Sequence, residues 1–500
     1  MFESNKNDSN LSFIVIIAAV SAGIVLRING IFSTGIWYDE ALPFAAARLP
    51  FWSMLEATKF TDAPPLWDLI VWCNVRILGQ NEIALRLPSL IASVCMIWLA
   101  YKVSGEFLLN NLERAVLMIF ICLLPYQIWM AQDGRSYALF SALYLGGVWF
   151  ALRKRWLGLT ATSGLMLYLH YVGPFYVLSL YIVASLVVGI SFKNLKPLII
   201  SGFFAVLSFI PWVPVYMAIL VEDFTVPALI LPDLLVMFYR IMFADALSQS
   251  FLLLLALIAI SICLLLSGLI LWAQIYKIIK GKFFFKDQEA VHAGAPYVQL
   301  SLIALLPFLI MLTWSIVWKN FIYYRLMAPL IIPLILWVLF TLSRHIPMWT
   351  AKYFLIPIWS VLLVVGVANW SPLSKDGNMH HAINMINAQW EPGDIIYHIT
   401  GTSYMPFSNY FSNKPMYLID EQQHGWLLRS QLQDIFEVKR SALEDIEYKR
   451  VWIFYASSEG LVSEDARRRA DQYVENGVLV DIIQAWQFAP IKIYLVDNQP

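Results

Sequence analysis

Residues 11–30 read LSFIVIIAAVSAGIVLRING, an apolar run that follows a short polar beginning. About 20 apolar residues form a helix long enough to cross about 30 Å of hydrocarbon, so this run predicts a transmembrane helix. No small-residue cleavage site ends the run, which favours a retained anchor over a cleaved signal peptide. The beginning of the sequence therefore indicates a membrane protein.

The rest of the composition extends this interpretation. The 500 residues are 60% hydrophobic and only 14% charged, so one soluble core cannot bury so much apolar surface. The 34 basic and 34 acidic residues balance, which gives no reason to expect a nucleic acid partner. Further apolar runs predict helices near residues 83–101, 115–131, 136–152, 157–171, 173–190, 197–219, 251–275, 298–318, 324–341 and 353–369. The predicted fold class is a polytopic α-helical membrane protein with about 11–13 transmembrane helices.

The charges of the connecting loops orient these helices. With the N-terminus in the cytoplasm, the cationic connections fall inside, as the positive-inside rule requires. These connections contain Arg153, Lys154, Arg155, Lys193, Lys196, Lys277, Lys280, Lys282, Lys286, Arg344 and Lys352. About 11 crossings then leave the C-terminus outside. Residues 66–79 either cross the membrane or lie against its outer surface, and the loop charges favour the surface because a crossing would invert every later loop.

After Trp370 the composition changes to mixed polar and apolar residues. Strand-like runs at Asp394–His398, Pro415–Ile419, Arg450–Tyr455 and Ile491–Val496 alternate with helix-like stretches such as 463–476, with Ser463 as its N-cap. This alternation predicts a small α/β domain. The sequence therefore divides into a transmembrane catalytic domain, 1–372, and an extracytoplasmic domain, 373–500. The first outer loop, 31–82, belongs to the former and carries juxtamembrane segments.

Two adjacent carboxylates, Asp39 and Glu40, follow the first predicted span. A carboxylate at a membrane boundary is costly to desolvate and is therefore a functional candidate. A carboxylate in this position can act as a base that activates a hydroxyl, and cations nearby can stabilise a departing phosphate. The pair would supply the base. The ordinary alternative is that these carboxylates solvate a loop or cap a short helix.

Arg135 lies in a short outer turn and can present a planar, permanently charged group to a phosphate. Snorkelling of an interfacial arginine explains it equally well. The other candidates on the same predicted side are Asp62, Asp133, Tyr137, His170, Tyr171, Lys319 and Arg325. Each alone has a structural explanation as a turn, cap or interfacial-belt residue. All of them are predicted to lie on the same side of the membrane. This strengthens the hypothesis that they form one site, because a site needs its base and its phosphate-binding cations within reach of each other.

The order of these motifs resembles the glycosyltransferases of family 39 and related GT-C membrane enzymes, which include protein O-mannosyltransferases and aminoarabinose transferases. The resemblance covers roughly the first 175 residues. Its pieces are Tyr38-Asp39-Glu40-Ala41, Ala63-Pro64-Pro65-Leu66, Gly79-Gln80-Asn81-Glu82, Leu85-Arg86-Leu87-Pro88-Ser89, Gln132-Asp133-Gly134-Arg135-Ser136-Tyr137 and His170-Tyr171. The later spans match mainly in hydropathy.

The resemblance implies that Asp39 is the general base, that Glu40 supports it, and that Arg135 contacts the carrier phosphate. It also implies inversion at the anomeric carbon in a single displacement. The sequence departs from the family at Ala63, where relatives commonly carry His or Lys. This change removes a cation or metal ligand, so it leaves open whether a divalent metal ion binds. If one does, Glu40 and Asp62 are its expected ligands. Arg325 and Lys319 complete the predicted cations for the donor phosphate.

The expected activity is transfer of a hexosyl or pentosyl group from a polyprenyl-phosphate donor to a protein, lipid or glycan acceptor. The expected location is a bacterial inner or plasma membrane, with the active site facing outside. Two other classes fit the sequence: a polyprenyl-lipid flippase or transporter, and a catalytically silent assembly protein of a cell-surface glycan pathway. Charges near the middle of the spans would indicate a transporter, whereas most charges here lie at span ends.

Overall fold

Long apolar helices form most of the chain in a computed structural model. The structure describes residues 6–32, 34–61, 63–107, 109–189, 191–221, 231–247, 250–280, 288–345, 356–370, 379–411, 413–419, 430–456, 464–475, 477–483 and 491–497. The predicted candidate Asp62 and the predicted N-cap Ser463 lie outside these residues.

The helices follow the apolar runs of the sequence. In chain order they are α1 Lys6–Asn29, α2 Tyr38–Arg48, α3 Phe51–Thr58, α4 Leu66–Leu78, α5 Glu82–Glu106, α6 Asn111–Leu123, α7 Pro125–Ala131, α8 Tyr137–Leu152, α9 Trp156–Leu169, α10 Gly173–Val188, α11 Phe192–Phe209, α12 Val213–Val221, α13 Leu231–Phe243, α14 Ser250–Lys280, α15 Gln288–Val317, α16 Ile331–His345, α17 Ile356–Asn369, α18 Met379–Gln389, α19 Gly401–Ser408, α20 Ser430–Ile435 and α21 Glu464–Val474. A 3₁₀ helix, Tyr324–Leu330, leads into α16.

Within the described residues, six helical segments are long and apolar enough to cross a membrane. They are Asn10–Asn29, Glu82–Glu106, Phe192–Leu220, Phe251–Lys277, Pro296–Val317 and Tyr324–His345. The pair α6 and α7 would add a seventh span across its 57° bend, and α8, α9, α10 and most of α17 are shorter apolar helices. Each predicted span thus contains a helix, and the predicted polytopic helical fold class is confirmed. The chain is an integral membrane protein.

The bend between α6 and α7 has a local cause. Leu124 is extended, with φ −62° and ψ 126°, because the following Pro125 disfavours a helical conformation at the residue before it. This break leaves the last carbonyls of α6 without helical donors. The fully buried Arg27 of α1 fills the gap, because its guanidinium donates to Ile121 O at 2.9 Å and to Cys122 O at 2.8 Å.

The chain forms two compact units. The helical unit comprises Met1–Ile28, Ser89–Gln132 and Ser136–Trp370, and the mixed unit comprises Asn29–Pro88, Asp133–Arg135 and Ser371–Pro500. The first predicted outer loop thus folds in the same unit as the C-terminal segment, a grouping that the sequence did not indicate. Within the mixed unit, α4 has 13 residues. At 1.5 Å per residue it is about 20 Å long. The helix α9 of a predicted span is hardly longer, at 14 residues, so the surface position of 66–79 stays a prediction.

A six-stranded sheet organises the C-terminal part of the mixed unit. Its strands are β1 Asp394–His398, β2 Met416–Ile419, β3 Arg440–Ser441, β4 Arg450–Ala456, β5 Val478–Ile483 and β6 Ile491–Asp497, in the order β3-β2-β1-β4-β6-β5. The pairs β3–β2, β2–β1 and β1–β4 are parallel, and β6 pairs antiparallel with β4 and β5. Alternate residues such as Ile395, Tyr397, Val451 and Ile453 enter one hydrophobic cluster, as a period of two predicts. The predicted small α/β region is confirmed.

Candidate functional site

The two adjacent carboxylates Asp39 and Glu40 lie in the first turn of α2 and have different surroundings. Successive residues of a helix point about 100° apart, so the two side chains cannot share one environment. Glu40 is fully buried, whereas Asp39 is partly exposed. Of these two residues, Asp39 is therefore the one with accessible surface.

Glu40 forms a buried ion pair with Arg86 of α5. Arg86 Nε donates to Oε1 at 2.8 Å and Nη2 donates to Oε2 at 2.5 Å, and both side chains are fully buried. The other hydrogens of the guanidinium reach main-chain carbonyls of the segment before α2: Ile31 at 3.1 Å, Thr34 at 2.8 Å and Gly35 at 2.6 Å. A buried charge pair is stable only when such extra hydrogen bonds satisfy it. Glu40 and Arg86 together therefore fix the approach to α2.

The turn that carries Asp133, Gly134 and Arg135 is held by side chains near α2 and α4. Gly134 N donates to Glu40 Oε1 at 2.6 Å, and Trp37 Nε1 donates to Asp133 Oδ1 at 3.0 Å. Trp67 Nε1 donates to the carbonyl of Gly134 at 3.0 Å. Glu40 therefore binds residues of two other motifs, Arg86 of one and Gly134 of the other.

Glycine at position 134 has a steric reason. A Cβ atom at this position would lie 2.4 Å from Cγ of Leu85, a distance that real Cβ contacts do not show. The turn can therefore approach α5 closely only without a side chain at residue 134.

Arg135 lies next to the start of α2. Its Nη1 donates to the main-chain carbonyl of Asp39 at 3.1 Å, and the residue is 7% exposed. The predicted base and the predicted phosphate-binding cation are therefore neighbours in the mixed unit. The structure brings together Asp39, Glu40, Asp133 and Arg135, four of the residues singled out from the sequence.

Another carboxylate of the mixed unit, Asp68, is buried in the first turn of α4. Thr58 Oγ1 donates to Asp68 Oδ2 at 2.9 Å. This contact joins the last residue of α3 to the first turn of α4, across the Pro64-Pro65 segment that connects the two helices. The contact assigns Asp68 a role in packing.

Three predicted candidates of the helical unit, Tyr137, His170 and Arg325, lie in two separate groups of side chains. In one, the hydroxyls of Tyr137 and Tyr323 lie 3.3 Å apart, and the ring of His170 lies 6.0 Å from that of Tyr137. His170 Nδ1 accepts from Val172 N at 3.3 Å, which places the proton of a neutral ring on Nε2. Tyr171 belongs elsewhere, since its hydroxyl accepts from Trp212 Nε1 at 3.4 Å.

The second group surrounds Arg325, which is buried near the start of the Tyr324–His345 span. Its Nε donates to Tyr324 Oη at 3.2 Å, and its guanidinium lies 5.5 Å from the ring centre of Trp129. Tyr126 stacks on Trp129 with ring centres 5.1 Å apart. The electron-rich faces of these rings stabilise the buried cation. Lys319, the other predicted cation, is only half-buried in the connection after α15.

Arg86 lies within one of the motifs quoted above, and Trp37 and Trp67 lie directly beside two others, but none of the three was assigned a role. A signal was available for Arg86, because an arginine within an apolar span is costly unless it is paired. No such signal marks the two tryptophans, since their indole donors become meaningful only once the facing turn is known.

The described residues contain no group of three or more His, Cys, Asp or Glu side chains that could hold a metal ion. Both oxygens of the predicted ligand Glu40 already accept hydrogen bonds from Arg86. The other predicted ligand, Asp62, lies outside the described residues, so the metal ion stays a prediction.

No protein-family model matches the sequence, and no curated protein matches it. Solved structures do match. ArnT from Cupriavidus metallidurans in the apo state aligns over 96% of this chain and 97% of that chain, with a TM-score of 0.57 at 11% identity. This chain has a GT-C fold. The fold expected from the resemblance to aminoarabinose transferases is thereby confirmed.

Two further GT-C structures align less closely. ArnT from the same organism bound to undecaprenyl phosphate covers 96% of this chain and 97% of its own, with a TM-score of 0.49 at 10% identity. An Archaeoglobus fulgidus oligosaccharyltransferase in complex with Zn and sulfate covers 92% of this chain and 71% of its own, with a TM-score of 0.45 at 11% identity.

Proposed function

We propose that the chain is an inverting glycosyltransferase that moves a sugar from a polyprenyl-phosphate donor to an acceptor hydroxyl on the extracytoplasmic face of the membrane. The observation that carries the proposal is the hydrogen bond from Arg135 Nη1 to Asp39 O, at 3.1 Å. Through it the permanently charged Arg135 guanidinium contacts the main chain of Asp39, the partly exposed residue whose carboxylate is the proposed base, and this supports a phosphate-binding role for Arg135. The ArnT fold supports a transferase of this general kind.

Asp39 is the general base in this proposal. Its carboxylate takes the proton of the acceptor hydroxyl while the hydroxyl oxygen bonds to the anomeric carbon of the donor sugar. The bond from that carbon to the phosphate oxygen breaks, and its electron pair leaves with polyprenyl phosphate. Because the attack comes from the face opposite the leaving group, the configuration at the anomeric carbon inverts.

Arg135 stabilises the departing phosphate in this proposal. A guanidinium binds phosphate oxygens through two parallel hydrogen bonds, which are stronger than neutral ones. Glu40 acts indirectly, because it fixes both α2 and the turn that carries Arg135. Arg325 and Lys319 stay predicted phosphate-binding residues of the helical unit, as Tyr137, His170 and Tyr171 stay predicted site residues.

The proposed donor carries a hexosyl or pentosyl group, and the acceptor is a protein, a lipid or a growing glycan. The proposed location is a bacterial inner or plasma membrane with the site facing the periplasm or cell exterior. The cationic connections on the opposite side support this orientation.

The test is turnover by the purified protein in nanodiscs. A panel of polyprenyl-phosphate sugars is offered together with a membrane glycan extract, and released polyprenyl phosphate is quantified by mass spectrometry. Release with one donor supports the proposal and names the sugar. No release across the panel, with sugar-lipid binding intact, would refute the transferase and favour a flippase or a silent assembly protein.

A further inference from the structure

The residues that follow α19 contact both ends of α2, within the mixed unit. The hydroxyl of Tyr410 accepts from Ile36 N at 2.8 Å, just before α2 begins. The carbonyl of the preceding residue, Asn409, accepts from Nη2 of Arg48 at 3.3 Å, in the last turn of α2. Two consecutive residues of the C-terminal segment thus hold the helix that carries Asp39.

The proton arrangement at Tyr410 is fixed by chemistry. Ile36 N can only donate, so the phenol oxygen accepts there and its own hydrogen is left for Glu82 Oε1, at 2.7 Å. Burial, and then the charge of Glu82, raise the pKa of Tyr410 above its ordinary value. The phenol is therefore protonated at physiological pH and serves both contacts.

Glu82 connects this contact to the buried ion pair. It lies in the first turn of α5, one helical turn before Arg86. Arg86 binds Glu40 and the carbonyls that precede α2, as described above. Tyr410 and Arg86 therefore hold the same short segment, Tyr410 through the amide of Ile36 and Arg86 through the carbonyls that precede it.

α2 depends on such external contacts. It has 11 residues, contains Pro43, and its N-cap residue Trp37 makes no side-chain capping hydrogen bond. Helices shorter than about 12–15 residues are marginal on their own, so tertiary contacts must fix their position. Asp39 lies three positions after Ile36, so the contact at that amide constrains the start of the helix that carries the carboxylate.

We propose that Tyr410 is a positioning residue of the transferase, which holds Ile36 and thereby sets the position of the Asp39 carboxylate. The inference rests on the proposed function. It gives the C-terminal segment a part in building the active site, beyond any recognition of the acceptor. A misplacement of about 1 Å at a reacting group can cost about 100-fold in rate.

The test compares Tyr410→Phe with Tyr473→Phe in full-length protein in nanodiscs. Tyr473 Oη also donates to a carboxylate, Glu444, at 2.9 Å, so its removal deletes the same type of hydrogen bond away from α2. Turnover is measured as released polyprenyl phosphate, and amide hydrogen exchange is followed over residues 34–40. Folding of each variant is checked by thermal unfolding.

The Tyr410→Phe variant is expected to lower kcat about 10- to 100-fold, with KM for the donor changed less than about 3-fold. Exchange over residues 34–40 should accelerate about 5-fold or more, as loss of one hydrogen bond requires. Tyr473→Phe should match the native protein in both readouts. Equal kcat and equal exchange in the two variants would overturn the inference while leaving the transferase intact, whereas no turnover by the native protein would refute the proposed function itself.

If Tyr410→Phe does not fold, Glu82→Leu serves instead, because it keeps the hydroxyl and removes its acceptor. A fall in kcat of at least about 3-fold at unchanged KM would then support the inference, since a lost hydrogen bond costs about 0.5–1.5 kcal/mol. Faster amide exchange over residues 34–40 at an unchanged kcat would overturn it, because the segment held by Tyr410 would then have loosened without any effect on turnover.

Discussion

The buried pair Glu40–Arg86 gives the sharpest prediction about stability. Arg86→Met removes the cation and leaves a fully buried carboxylate without its ionic partner. Breaking a buried ion pair on one side destabilises by about 3–5 kcal/mol. The three carbonyls of Ile31, Thr34 and Gly35 also lose their donor, at about 1 kcal/mol each if water does not replace it. Protection of the amides in α2 should therefore fall by at least about 100-fold.

A double substitution separates the charge from the packing. Glu40→Gln combined with Arg86→Met removes both charges, while the glutamine oxygen can still accept from Gly134 N. Its loss of stability should be at least about 2 kcal/mol smaller than the sum of the two single losses, because neither charge is left unpaired. The assay is hydrogen exchange of α2 in all four proteins, and thermal unfolding gives an independent ranking. Single variants with less than a 3-fold change in protection, or strictly additive losses, would refute the reasoning.

The remaining predictions concern the turn, the phosphate contact and the sheet. Gly134→Ala should destabilise by about 1–3 kcal/mol, because its Cβ would overlap Leu85; Leu85→Ala should restore part of the loss in a thermal melt, and no rescue would contradict the steric account. Arg135→Gln should weaken binding of polyprenyl phosphate about 10- to 100-fold, since a charge-assisted hydrogen bond contributes about 1.5–3 kcal/mol; unchanged affinity by native mass spectrometry would remove Arg135 from the phosphate site. Burial lowers the pKa of His398 from 6.5 to about 3, so stability that is present above pH 6.5 should be lost as pH falls towards 3, by about 2 kcal/mol at pH 5. Exchange of β1 amides should show this pH dependence, and His398→Asn should abolish it; an identical pH profile in the variant would exclude His398 as its cause.

The helices and most strands were predictable because burial follows a local pattern. The apolar run at residues 11–30 predicted α1, and β1 lies where alternation placed it, at Asp394–His398. The two-residue β3 carries no periodic signal, and β5 is largely exposed, so both were missed. Span length was less predictable, because hydropathy measures an apolar run and not a helix: the break at Pro125 divides one run into α6 and α7.

The site was predictable in its members and not in its contacts. Asp39, Glu40, Asp133 and Arg135 were selected because charged groups at span ends are costly without a function. Which of the two carboxylates is buried depends on Arg86, and the sequence does not reveal that pairing. Tyr410 and Ile36 are separated by 374 positions, so their hydrogen bond exists only in the folded chain.

The central claim, that Asp39 is the base of a sugar transfer, is tested by comparing the native protein with Asp39→Asn. Both are supplied with the productive polyprenyl-phosphate sugar and acceptor, and released polyprenyl phosphate is measured after matched thermal melts establish equal folding. Asparagine keeps the shape of the side chain and the main-chain carbonyl that binds Arg135, so donor affinity should be unchanged. We expect kcat to fall by about 100-fold or more, since a positioned general base contributes about 10²–10⁴-fold. Equal release from the two proteins would contradict the account.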